Sequence, residues 1–381
     1  MSFRLASERI FRSKFSISRI FINSSLFYYA FYSTSIIDIW SMMTGKKNGK
    51  EIKKLSTSKI FPITPISNLK ARPFPQTAAC LIIGDEILNG KTVDINSGFF
   101  AKFCFNLGID VKRIEIIPDE EEEIIEAVKR LSSKFDFVVT SGGIGPTHDD
   151  ITYPSIARAY NLPLKYHQPT LDRIESSEFI KKYYKKNEVI IPEATKEAHK
   201  RMALFPHPSL AVFPSETTWV PIVIVNENIH ILPGIPKLFR GLLSEYGKYL
   251  QSGNNFREGE GIISERGNGN KFFRRFVKTF HPESYISSVL AETQKEVKDL
   301  GIKIGSYPKW TENEKYVMVS FLSREVNSKL VEKIAKAVAE KIDGVLIESN
   351  KVIDDDNNND DDDVSNNNVF KSRKYKNYNK L

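Results

Sequence analysis

An apolar segment that runs directly into a glycine loop limits most strongly what this chain can fold into. FDFVVT (135–140) has the composition of a buried strand, and SGGIGPTHDD (141–150) follows it without a break. Glycines let a backbone approach a ligand closely and turn its N–H groups inward, and a helix beginning after the loop adds its positive end. We therefore predict a strand, an anion-binding loop at Ser141–Thr147 and a helix.

The residues before this loop alternate between strand-like and helix-like patterns. TAACLII (77–83) is a short apolar run, and NSGFFAKFCFNL (96–107) has helical spacing and stops at Gly108. IDVKRIEII (109–117) alternates like a strand, and Glu120–Leu131 reads as an amphipathic helix with acids in its first turn. This order predicts an α/β fold with a doubly wound, mostly parallel sheet, whose ligands bind at the carboxyl ends of the strands.

The remaining segments divide the chain into five parts. The Lys271–Ile347 segment reads as a mixture of strands and helices, and the stretch before Thr77 and the Asp/Asn-rich end lack apolar periodicity. The predicted parts are a presequence (1–40), a linker (41–72), the α/β domain (73–255), a small α+β domain (256–349) and a disordered tail (350–381).

The amino-terminal segment has the composition of a mitochondrial presequence. Its first 35 residues contain five basic residues and one acid, Glu8, among serines and bulky apolar residues. A membrane anchor over Ile20–Ile37 is the alternative, but serines and an asparagine dilute its apolarity, so no stable membrane insertion is expected. A start at Met42 or Met43 would give a shorter, cytosolic form.

Charge and cysteine content exclude several classes of protein. The net charge of +8 could suit nucleic acid, but no nucleic-acid-binding motif accompanies it, so an anionic small molecule explains it as well. The only cysteines, Cys80 and Cys104, exclude a disulfide framework and a cysteine-based zinc site.

Acidic residues accompany two of the predicted loops. Asp149 and Asp150 suit a divalent cation that bridges to a phosphate held by the loop, and Thr147 can donate its hydroxyl to that phosphate. Asp85 and Glu86 follow the first strand and should face the same crevice, as metal ligands or a water-activating base. The structural alternatives are a glycine turn in which Asp150 or Thr152 caps the helix, and a solvated turn at Asp85.

Two further positions leave structural and functional interpretations open. Asn96, in KTVDINS, is a candidate N-cap or ligand group. Gly234 and Pro236, in LPGIP, could form a ligand wall or only a turn before the next helix.

Taken together, TAACLIIGDEILNG, TSGGIGPTHDDIT and LPGIP resemble the molybdopterin-binding (MoCF) domain. The form is that of competence/damage-inducible proteins and of the amino-terminal half of eukaryotic FAD synthases. The likeness runs from about Thr77 to Leu250 and continues to Ile347.

This resemblance implies a metal-dependent hydrolase of dinucleotide pyrophosphates, acting on FAD to give FMN and AMP, or on ADP-ribose. Carried over by position, the loop would hold the pyrophosphate, Asp149, Asp150 and Asp85 would hold the metal, and Asp85, Glu86 and Asp150 would be catalytic. The implied cations are divalent (Mg²⁺, Mn²⁺ or Co²⁺), with a monovalent one as an addition, and the implied assembly is a homo-oligomer. The implied substrate-binding residues are Gly142, Gly143, Gly145, Pro146, Thr147, Gly234 and Pro236.

Two other functions remain open at this point. In molybdenum-cofactor enzymes the domain adenylylates molybdopterin, and a non-catalytic flavin- or nucleotide-binding role is the third interpretation. FAD synthesis is not expected, because no sequence for the ATP-dependent synthetase domain of FAD synthases follows Ile347.

The presequence is directly testable. A reporter fused to residues 1–40 should enter mitochondria, because the segment is Arg-rich and nearly free of acids. Imaging or fractionation of the fusion checks this, with the same segment carrying its arginines changed to glutamate as the control. A cytosolic or plasma-membrane signal for the unchanged segment would refute the prediction.

Overall fold

The computed structural model describes residues 61–68, 72–177, 193–252, 271–311 and 314–347, and the backbone of 46–47 and 50–51. Two compact units divide at Ser58 and Lys59. In the first unit, Lys46–Lys47 and Lys50–Glu51 pair as antiparallel strands. The predicted presequence and tail, and the alternative anchor, lie outside the described residues.

In the second unit, the first half of the α/β domain alternates strands and helices as predicted. Gly108 ends the long helix in the left-handed conformation (φ 77°), which a residue without a side chain adopts readily. The elements are β1 (Thr77–Ile83), α1 (Asp85–Leu88), α2 (Asn96–Leu107), β2 (Asp110–Ile117), α3 (Glu121–Ser132), β3 (Phe137–Ser141) and α4 (Thr152–Ala159).

The second half of this domain contains shorter strands. The elements of this half are β4 (Leu164–Tyr166), α5 (Gln168–Ser176), α6 (Glu193–Arg201), β5 (Leu204–Pro206), β6 (Leu210–Val212), β7 (Ile222–Val225), β8 (Ile229–Leu232) and α7 (Pro236–Ser252). The antiparallel pair β4–β5 and helix α5 were not predicted, because these segments are short and their sequence has no clear apolar period.

The central sheet has the order β2-β1-β3-β8-β7-β6. Strands β2, β1, β3 and β8 are parallel, and β7 and β6 add antiparallel pairs at one edge. The predicted doubly wound, mostly parallel sheet is therefore confirmed. Because the four parallel strands end at the same edge, the loops that follow them meet there.

Both faces of this sheet are covered, as expected for a parallel sheet. One core contains Phe100 of α2 and Phe239 of α7, and the other contains apolar residues of α3 and α4. Helix α3 contributes Ile124, Ala127, Val128 and Leu131, whose spacing of three and four residues places them on one face.

Part of the predicted linker is packed onto the α/β domain. Phe61 is buried, and the backbone N–H of Thr64 donates to the carbonyl oxygen of Phe213. The hydroxyl of Tyr249 donates to the carbonyl oxygen of Thr64 (2.7 Å). The folded region therefore begins before residue 73, because FPITPI contains apolar residues that the basic average of the segment conceals.

The smaller α+β domain contains β9 (Phe272–Thr279), α8 (Glu283–Val297), β10 (Lys303–Trp310), β11 (Lys315–Arg324), α9 (Ser328–Lys341) and β12 (Val345–Ile347). Its strands form a second, antiparallel sheet in the order β10-β11-β9-β12, with α8 and α9 packed on it. This arrangement agrees with the predicted fold class.

Aromatic and polar contacts join this smaller sheet to the α/β domain. The rings of Phe105 and Phe272 stack with centroids 5.0 Å apart, and Arg324 donates to the carboxylate of Asp110 (3.3 Å). Among the described residues, no helix is both long enough and apolar enough to cross a membrane.

The packing of α3 against the sheet predicts the effect of a core truncation. Leu131 has no exposed surface, so Leu131→Ala should lower the free energy of unfolding by about 2–5 kcal/mol through lost burial and a cavity. Denaturant unfolding measures this. Ile114→Ala, at a position 41% exposed, is the control and should cost clearly less; equal losses would contradict the described core.

Candidate functional site

The loop after β3 has a conformation that only glycine adopts easily at two successive positions. Gly142 has φ 116° and Gly143 has φ 64°. A Cβ atom on Gly142 would lie 2.0 Å from the carbonyl oxygen of Ile83, and one on Gly143 would lie 2.2 Å from Oγ1 of Thr152. Side chains at these positions would therefore displace the loop.

The loop after β8 packs directly on the first one. The N–H of Gly142 donates to the carbonyl oxygen of Leu232 (3.3 Å), and a Cβ atom on Gly234 would lie 3.2 Å from the Cα atom of Gly142. The glycine of LPGIP is therefore needed for close approach of the two loops. Gly234 and Pro236 both line one cavity.

Helix α4 holds the glycine loop through Thr152. Its N–H donates to the carbonyl oxygen of Gly143 (2.9 Å), and its hydroxyl donates to that of Gly142 (3.0 Å). No side chain caps the amino end of α4, so neither Asp150 nor Thr152 is the helix cap that the structural alternative required.

Asp150 instead holds the loop together from within. Its carboxylate accepts the N–H of Gly145 (2.6 Å), and both the N–H (2.8 Å) and the hydroxyl of Thr147. The donors of Thr147 that we predicted to face a phosphate are thus used inside the loop. Arg201 on α6 supports the same turn by donating to the carbonyl oxygen of Thr147 (2.9 Å).

The amides that remain for an anion are those of Gly143 and Ile144. Neither N–H has an acceptor among the residues that the structure describes, and both residues line the cavity. Of the predicted anion-binding loop Ser141–Thr147, only these two amides therefore remain as candidates to bind an anion.

These loops surround a cavity of about 500 Å³ at the carboxyl edge of the parallel strands. Of the predicted site residues, Asp85 and Thr147 lie outside its lining. The predicted residues that line it are Glu86, Gly142, Gly143, Gly145, Pro146, Asp149, Asp150, Gly234 and Pro236. The cavity thus joins the glycine loop to acidic side chains, as the sequence predicted.

One acidic residue of the cavity was missed. Asp119 follows β2 and accepts the N–H of Asp85 (3.0 Å) at its carboxylate. Burial raises the pKa of Asp119, and the nearby charges of Asp85, Glu86 and Asp149 raise it further, against the hydrogen bond from Asp85. Its place at the end of a parallel strand is the signal that identified Asp85, so the same rule could have found it.

An apolar surface, which we call the apolar wall, also lines the cavity. It was not predicted, because its residues come from separate parts of the sequence. They are Val93, Ile95, Trp219, Val220, Pro221 and Leu238. A surface of this kind suits a planar ring or another apolar part of a ligand.

The acidic side chains of the cavity are the candidate ligands for the predicted metal. In the described parts of the chain, no three His, Cys, Asp or Glu side chains stand close enough to hold an ion together. Mg²⁺ typically takes only one or two carboxylates, together with waters and substrate phosphates. Two carboxylates of the cavity, those of Glu86 and Asp149, would suffice for such a shared site, so the predicted divalent metal remains a prediction.

The fold and cavity define an α/β domain with a glycine loop at the carboxyl edge of its parallel strands, and comparisons with known proteins identify its family. Residues 79–252 match the family described as "Probable molybdopterin binding domain", and residues 271–351 match "FAD synthase, middle domain". A Saccharolobus islandicus protein is 30% identical over 282 residues, which cover 73% of this chain and 95% of that protein. The chain belongs to the family of proteins with the molybdopterin-binding (MoCF) domain.

Two other comparisons extend this result. A Caenorhabditis briggsae protein named "Probable FAD synthase" is 29% identical over 282 residues, covering 71% of this chain and 50% of that protein. The chain therefore spans about half the length of the curated relatives of this name. The crystal structure of CinA from Thermoplasma acidophilum is 28% identical with a TM-score of 0.39, covering 47% of this chain and 99% of that one.

The raised pKa of Asp119 predicts a trade-off between stability and site chemistry. At neutral pH the folded state carries an ionised carboxylate that is less favourable than in the unfolded chain. Asp119→Asn removes this charge and keeps an oxygen for the N–H of Asp85, so the thermal midpoint at neutral pH should rise by a few degrees.

The gain in stability of Asp119→Asn should depend on pH. As the pH falls through the raised pKa of the folded state, Asp119 takes up a proton and the advantage of the variant shrinks. It should vanish below the ordinary aspartate pKa of about 3.9. Thermal melts of both proteins across this range check the prediction, and a variant that is less stable at neutral pH would contradict it.

Proposed function

We propose that this protein is a metal-dependent hydrolase of dinucleotide pyrophosphates that cleaves FAD to FMN and AMP, or cleaves ADP-ribose. The observation that carries the proposal is the single cavity that brings the amides of Gly143 and Ile144 together with Glu86, Asp119 and Asp149. A diphosphate needs donors for its oxygens, and its hydrolysis needs a base and positive charge.

The comparisons support a flavin nucleotide as the substrate. The similarity to proteins named "Probable FAD synthase", and the match to the FAD synthase middle domain, connect the chain to flavin nucleotides. We therefore propose an enzyme of flavin nucleotide chemistry whose reaction is hydrolysis of the diphosphate bond.

The chain's own residues would bind the phosphate groups and activate the attacking water. The amides of Gly143 and Ile144 would bind phosphate oxygens, aided by the positive end of α4. Asp119 would accept the proton of the attacking water, since its raised pKa brings it closer to that of an efficient base at neutral pH. The new bond joins the water oxygen to one phosphorus, and the bridging P–O bond breaks to release FMN and AMP.

Asp149 and Glu86, together with substrate phosphate oxygens, would hold the divalent cation, which when bound supplies charge to offset that of the phosphate oxygens. Asp150 was predicted to bind the metal and to be catalytic, but its role in the proposed function is to order the loop through its carboxylate. Asp85 contributes through the N–H that it donates to Asp119. The proposed location is the mitochondrion, on the composition of residues 1–40, and the proposed assembly is a homo-oligomer.

The proposal predicts turnover by the full chain. With Mg²⁺, Mn²⁺ or Co²⁺, the protein should release FMN and AMP from FAD, and chromatography of the products measures this. Asp119→Asn should lower kcat by roughly 100-fold or more, because the base is lost while the fold is kept. Asp299→Asn, an exposed acid of the smaller α+β domain, is the matched control and should leave turnover unchanged.

Three outcomes would count against the proposal. No turnover of FAD, ADP-ribose or NAD with any of these metals would overturn it. Transfer of AMP from ATP to molybdopterin would favour the adenylyltransferase instead. Tight binding of FAD without cleavage would favour a non-catalytic flavin-binding protein.

A further inference from the structure

Asn96, the first residue of α2, is held by both loops of the site. Its side-chain amide nitrogen donates to Oγ of Ser141 (3.0 Å) and to the carbonyl oxygen of Gly234 (2.8 Å). A carbonyl oxygen only accepts hydrogen bonds, so the nitrogen, not the oxygen, must face Gly234. The orientation of this amide is therefore determined by its partners.

The oxygen of the same amide has no partner. Asn96 is 6% exposed, and Oδ1 is buried without a hydrogen-bond donor among the residues that the structure describes. A buried acceptor left unsatisfied is costly, and buried polar atoms nearly always have partners. Asn96 lines the cavity, so a ligand bound there can supply the missing donor once the side chain shifts to expose Oδ1.

Asn96 is not needed as the helix cap, which was the structural interpretation of this residue. Asp94 has that role, since its carboxylate accepts the N–H of Asn96 (2.9 Å) and of Ser97 (3.1 Å). The side chain of Asn96 is thus directed to the loops and the cavity rather than to its own helix.

The surroundings of Asn96 indicate which donor it meets. Its partners Ser141 and Gly234 flank the glycine loop that offers amides to phosphate, while the apolar wall with Trp219 and Leu238 offers a surface to a ring. A nucleotide presents its groups in the order phosphate, sugar, ring. Its donors between the charged part and the ring are the sugar hydroxyls.

We propose that Oδ1 of Asn96 accepts a hydrogen bond from a sugar hydroxyl of the bound dinucleotide, and so determines specificity for hydroxylated over deoxy substrates. The hydroxyl belongs either to the ribose of the AMP half or to the ribityl chain of the flavin half. The inference rests on the proposed function only in taking a dinucleotide as the ligand. It does not require that the ligand is cleaved.

The test is a set of binding measurements on the full chain in EDTA. Calorimetry compares FAD with analogues in which one hydroxyl of the ribose, or one of the ribityl chain, is replaced by hydrogen. The unchanged protein should bind one of these analogues roughly tenfold more weakly than FAD, because the analogue leaves Oδ1 buried and unpaired. The analogue affected identifies the half of the ligand.

A variant then assigns that loss to Asn96. Asn96→Ala should bind FAD more weakly and should bind FAD and the affected analogue about equally, since the acceptor is gone from both complexes. Asn96→Ser, whose hydroxyl can still donate to a loop, should give the same result if the alanine variant does not fold. Removing the Asn96 amide from the protein and the hydroxyl from the ligand, singly and together, forms a double-mutant cycle. The cycle isolates the interaction energy of these two groups.

Ser141→Ala is the matched control. It removes one partner of the Asn96 nitrogen and keeps Oδ1, so it should retain the preference for FAD over the affected analogue. Loss of the preference in Ser141→Ala would show that Asn96 acts only through loop structure.

Each remaining outcome also decides the inference. Equal binding of FAD and every deoxy analogue by the unchanged protein would overturn it, as would a preference that persists in Asn96→Ala. A protein that binds none of these ligands would also overturn it. Because EDTA removes the metal, binding with the expected preference but no cleavage when metal is restored would refute the hydrolase and leave this inference supported.

Discussion

The site depends on the contact between the loops that follow β3 and β8. A Cβ atom on Gly234 would lie 3.2 Å from the Cα atom of Gly142, and the N–H of Gly142 donates to the carbonyl oxygen of Leu232 at the end of β8. This contact brings Gly143, Ile144 and Gly234 to the lining of one cavity, together with Asn96. It is possible because parallel strands end at a common edge.

The chemistry of the glycine loop is divided between structure and binding. Asp150, Thr147 and Thr152 use their polar groups to hold the loop, which leaves few donors for a ligand. The acids Glu86, Asp119 and Asp149 also line the cavity, and the charges of Glu86 and Asp149 help to raise the pKa of Asp119. A bound cation would relieve the repulsion between these charges, so rigid loop and charged cluster are complementary parts of one site.

Much of the fold could be predicted from local patterns, because β1, α2 and β3 have strong apolar periods and Gly108 marks a helix end. The pair β4–β5 could not, since its strands have three residues each and depend on tertiary contacts. The cavity was predictable from strand ends, and Asp119 obeys the same rule. The internal bonds of Thr147 and the apolar wall could not be predicted, because they depend on residues brought together only by folding.

The central claim is that the Gly143 and Ile144 amides, together with a cation held by nearby carboxylates, bind a dinucleotide diphosphate in one cavity. A crystal structure with a methylene-bridged analogue of FAD or ADP-ribose, which water cannot cleave at the bridge, tests this directly. The account predicts phosphate oxygens at hydrogen-bond distance from both amides, on the side facing Asp119. A diphosphate bound elsewhere, with these two amides still open to solvent, would contradict it.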